Sequence, residues 1–159
     1  MFESWRAWEH LSHADFLQVE YTGVYDTSCT FGTRCLVPGT TNPEAELGDN
    51  TGLVLFETTS ALTWAPVVNT HVYIIGSPNN NAVPAWEGLW TGRGLTSGEA
   101  LAIDVKIDDG DALTGGVGMV NGVNYTPTCT GGDYVAPASY DVSVSGLTCV
   151  IMVDAEFDN

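Results

Sequence analysis

Positive charge is what this chain most lacks. Across 159 residues, Arg6, Arg34, Arg93 and Lys106 face 20 Asp and Glu, for a formal net charge of -16. Such a surface repels phosphate backbones and anionic headgroups, which argues against nucleic acid as a partner. It suits a solvated exterior in saline or extracellular surroundings. Long apolar runs are missing too: none reaches the ~18 residues that mark a membrane-crossing helix. The opening MFESWRAWEH has neither the basic nor the apolar region of a secretory signal.

Cysteine is sparse, and its four copies, Cys29, Cys35, Cys129 and Cys149, include no C-x-x-C pair, while His10, His13 and His71 lie far from them in sequence. That spacing disfavours a zinc site and favours disulfides. Of the three possible pairings, Cys29 with Cys35 and Cys129 with Cys149 closes two short loops at little topological cost. Disulfides imply an oxidising compartment, the periplasm or the cell exterior. The chain also contains no H-E-x-x-H, and His10 and His13, at i, i+3, find no third ligand. There is no G-x-S-x-G elbow and no thiol–imidazole pairing to activate a nucleophile. We therefore expect a protein without enzymatic activity and with no required cofactor.

What is present points to a folded domain. Apolar residues make up 44% of the chain, enough to offset the entropy of ordering it. Its length suits one domain over residues 1–159, which would bury roughly two-thirds of the surface exposed when unfolded. Residues 2–15 read as an amphipathic helix. Glu3, Arg6, Glu9, His10 and His13 share one arc, and Trp5, Ala7, Trp8, Leu11 and Ala14 the other. No capping residue precedes Phe2, so the helical pattern is entered in its middle, as in a helix cut from a longer one. A long loop rich in Gly, Thr, Pro and Asn follows, pinned by Cys29 and Cys35.

Leu53–Phe56 and Val72–Ile75 are short apolar runs bounded by turn residues and read as buried strands. Thr96 and Glu99 form a T-x-x-E capping box opening a short helix near 97–108 that should stop at Gly110. GGVGMVNG, the alternation of Tyr140, Val142 and Val144, and above all Leu147–Val153 predict further strands. A helix first and strands afterwards predict an α+β fold with an antiparallel sheet.

One acidic segment stands out. Asp104, Asp108, Asp109 and Asp111 crowd the end of the second helix, where the helix dipole is unfavourable to negative charge, so something should compensate. Calcium is one candidate, since hard cations gather carboxylate and carbonyl oxygens, although the spacing is not that of an EF-hand. The plainer expectation is a solvated turn in which Lys106 pairs with a neighbouring carboxylate. The loop holding Glu44, Glu46 and Asp49 and the tail holding Asp154, Glu156 and Asp158 are lesser candidates of the same kind.

Two motifs about 80 residues apart carry a resemblance. Ala7, Trp8, His10, Leu11 and Ala14 followed by Tyr21-Thr22-Gly23, together with Ile103-Asp104, Lys106 and Asp108-Asp109-Gly110, are similar to segments of prepilin-like proteins, the type IV pilins and type II secretion pseudopilins. The resemblance implies a pilin-like fold, in which an N-terminal helix packs on an antiparallel sheet, with Trp5, Trp8 and Leu11 as the packing residues. A long αβ loop and a disulfide-closed C-terminal region complete it. It implies a structural subunit of a periplasmic or cell-surface filament. Its partners would be other pilin or pseudopilin subunits, and its anchor in the inner membrane before assembly would be an apolar half-helix ahead of residue 2. That half-helix, the cleavage site and the acidic residue near the mature start are absent here, so the chain is expected to be the water-facing part of a longer protein. The alternative is a secreted adhesin or carbohydrate-binding module, possible also at the tip of a minor pilin, in which Trp86 and Trp90 of PAWEGLWTGRG stack on sugar.

Overall fold

The computed structural model describes residues 4–24, 37–47, 50–57, 71–77, 92–119, 129–131 and 137–155, with the backbone alone at Ser4, Trp5 and Phe56. The elements run α1 (Ser4–His13), β1 (Gly52–Glu57), β2 (His71–Gly76), α2 (Ser97–Ile107), β3 (Val117–Met119) and β4 (Ile151–Asp154). The four strands form one antiparallel sheet in the order β1-β2-β4-β3. The protein is α+β among the described residues, and none of its described helices is long and apolar enough to cross a membrane.

The register explains how apolar runs become a core. Leu55, Tyr73, Val153 and Val117 stand in one row across the strands, and Leu53, Ile75, Ile151 and Met119 in the next row on the same face. Val54, Ile74 and Met152 occupy the opposite face and are buried, while Leu53, Leu55, Tyr73 and Ile75 on the first face are half-buried, so both faces are at least partly covered. Strands covered on both sides read as continuous apolar runs instead of an alternation, which is how Leu53–Phe56 and Val72–Ile75 read in sequence. A buried cluster joins the β3–β4 end of the sheet to Leu95, Ala100, Ala112, Ala138 and Tyr140, with Cys129 and Cys149 inside it.

α1 sits at the β1 end. Trp8 is 5% exposed, and its ring centroid lies 6.4 Å from that of Tyr73, tilted by 36°. Leu11 is half-buried, while Arg6, His10 and His13 face solvent. The helix stops sooner than the predicted residue 15, because Asp15 adopts a left-handed φ of 58° and Phe16 N–H turns back to the Leu11 carbonyl. Ser12 then organises the reversal. Its hydroxyl lies 2.8 Å from the Trp8 carbonyl and 3.0 Å from the Val19 carbonyl, and it accepts a hydrogen bond from Tyr21 N–H at 3.1 Å. Gly23 follows with φ of 65°, a backbone conformation that favours glycine, and a Cβ there would crowd the Glu9 side chain.

The segment 37–47 shields the first half of the edge strand β1. Leu53 N–H donates to the Pro43 carbonyl at 3.0 Å, and the buried Asn42 donates from Nδ2 to the Leu53 carbonyl at 3.2 Å. An edge strand otherwise leaves such groups free to template aggregation.

Two strand expectations are corrected. Residues 140–144 form a turn: Asp141 Oδ1 accepts from Ser143 N–H at 3.0 Å, and Val142 is exposed. Residues 147–150 precede β4, which begins only at Ile151, because Cys149 is drawn aside to pair with Leu95 in an isolated bridge. That bridge carries reciprocal bonds, Cys149 N–H to the Leu95 carbonyl at 2.9 Å and Leu95 N–H to the Cys149 carbonyl at 3.2 Å.

Candidate functional site

The acidic turn is built by α2. Thr96 caps the helix as predicted, its Oγ1 accepting from Glu99 N–H at 3.2 Å while the Glu99 carboxylate accepts from Thr96 N–H at 2.8 Å. Such a cap is worth about 1 kcal/mol. Eleven residues on, the helix ends with Asp108 N–H bonded to the Asp104 carbonyl, and Gly110 takes φ of 79°. The Asp104, Asp108 and Asp109 side chains converge there, each offering an oxygen within 4.8 Å of the others'. Among the described residues this is the one group whose spacing could hold a metal ion. Asp111, placed with them from sequence, stands outside that group.

What compensates this charge within the protein is a ring of N–H and O–H donors. Asp104 is fully buried; its Oδ1 accepts from Gly110 N–H at 3.0 Å and its Oδ2 from the Tyr140 hydroxyl at 2.8 Å. Asp108 Oδ2 accepts from Gly116 N–H at 2.6 Å and Val117 N–H at 3.2 Å, which caps the start of β3. Asp109 accepts from Asp111 N–H and from the Thr114 hydroxyl, each at 2.8 Å. Asp111 Oδ1 accepts from Leu113 N–H and, across the chain, from Ala138 N–H, both at 3.0 Å. Four carboxylates thus tie α2, β3 and the 137–140 segment together through charge-assisted bonds, which are stronger than neutral ones. Lys106 pairs with none of them, contrary to expectation, and lies exposed.

Burial sets the titration of these groups. Desolvation pushes the Asp104 carboxyl above its ordinary value against the opposing pull of Tyr140 and Gly110, and the neighbouring Asp109 and Asp108 charges push the same way. Desolvation also raises Tyr140, reinforced by its bond to Asp104. Asp109 goes the other way, held low by the Asp111 N–H and the Thr114 hydroxyl.

The other sequence-derived candidates fare differently. Cys129 and Cys149 form a disulfide spanning 20 residues. It lies beside Ser97 and Thr148, whose hydroxyls are 2.8 Å apart, and that hydroxyl pair ties the start of α2 to the residues that lead into β4. Cys29, Cys35, Trp86, Trp90 and the Trp5 side chain lie outside the described residues. Trp8 is buried, yet its indole N–H finds no acceptor among the described residues, where sequence reasoning required one. Glu44 and Glu46 are exposed, and Asp49, Glu156 and Asp158 lie outside the described residues. Tyr140 was missed as a partner of the acidic turn. Nothing in the sequence links it to Asp104, 36 residues away.

Comparison with family models, with curated proteins and with solved structures returned no match.

Proposed function

We propose that this chain is the water-facing domain of a pilin or pseudopilin, a non-catalytic structural subunit of a type IV pilus or type II secretion filament outside the cytoplasm. The reading is carried by the way α1 lies on the antiparallel sheet, with Trp8 buried against Tyr73. The Tyr21-Thr22-Gly23 turn folds back on the helix at Ser12 and Glu9. Both observations support the reading.

In this account, subunits join by burying an apolar helical segment that precedes the domain, and the acidic exterior keeps the assembled surface solvated. The acidic turn and the Cys129–Cys149 bond serve the fold: one ties α2 to β3, the other closes the C-terminal region. Other subunits, of the same or related chains, are the partners. The test is immunolabelling of intact cells with antibody raised against this domain. Decoration along surface filaments supports the proposal, and label confined to non-filamentous fractions overturns it.

A further inference from the structure

We draw no further inference here: the strongest candidate, the cluster of Asp104, Asp108 and Asp109 at the C-terminal end of α2, belongs to the hydrogen-bonded turn already described, and no second feature points to a ligand there.

Discussion

Removing the Tyr140 hydroxyl should expose how much of the fold hangs on the acidic turn. Tyr140→Phe deletes the 2.8 Å bond to Asp104 Oδ2 and leaves that oxygen buried without its donor. A hydrogen bond to a charged group contributes about 1.5–3 kcal/mol, so a loss of about 2 kcal/mol is expected. Asp104→Ala goes further, because it strands both the Tyr140 hydroxyl and Gly110 N–H, at about 1–3 kcal/mol each. The two losses should not add: the double variant should show a coupling of about 1.5–3 kcal/mol. Urea unfolding followed by circular dichroism, with the disulfide intact and salt fixed, measures all four proteins.

The same site gives a pH test whose sign follows from burial. Asp104 titrates higher in the folded protein than in the unfolded one, so the folded state binds the extra proton. Its contribution is fully present below the ordinary carboxylate range and is lost as pH rises through the elevated folded value. Asp104→Asn has no such proton, so its deficit relative to the parent should be greatest in acid and shrink toward neutrality. Asp109, held low, works in the opposite direction in both proteins and so drops out of the difference except for its own repulsion with Asp104. A pH-independent difference, or a coupling below about 0.5 kcal/mol, would refute the argument.

Further expectations concern the helix, the disulfide and the turns. Trp8→Ala should cost about 3–5 kcal/mol, as for other buried aromatics. Trp8→Phe should cost less than about 1.5 kcal/mol, because it removes a buried N–H that has no acceptor among the described residues, which recovers about 1–3 kcal/mol of the packing lost; equal melting-temperature losses for the two variants would contradict this. Replacing Cys129 and Cys149 together by Ala should lower stability by about 3 kcal/mol in urea titrations, from the loop of 20 residues they close. Gly115→Ala should destabilise by more than about 1 kcal/mol, because φ is 75° and the new methyl meets the Asp108 carboxylate that caps β3. Gly98→Ala, with open space around it in α2, should instead raise stability by about 0.5–1 kcal/mol, and a shared sign for the two glycines would be a failure of this reading.

Local chemistry made much of this fold legible. The Thr96–Glu99 box marked the start of α2 because a capping box is complete within four residues. β1 and β2 were visible because their runs are apolar and bounded by turn residues. Local patterns failed where distant partners decide. Tyr140, Val142 and Val144 alternate like a strand, yet Asp141 turns the chain there. Leu147–Val153 looks continuous, but its first half bonds to Leu95, more than 50 residues earlier in the chain, and only the second half enters the sheet. The acidic turn was evident as a charge excess, whereas its donors were not. Backbone N–H groups leave no mark in composition, and Ala138 N–H comes from 27 residues beyond Asp111.

The central claim is that this domain coats a filament, and immunogold electron microscopy of unpermeabilised cells tests it most directly. The account expects gold particles spaced along surface fibres, and loss of both label and fibres when the gene is deleted. Fibres that persist unlabelled beside a uniformly soluble protein would contradict it.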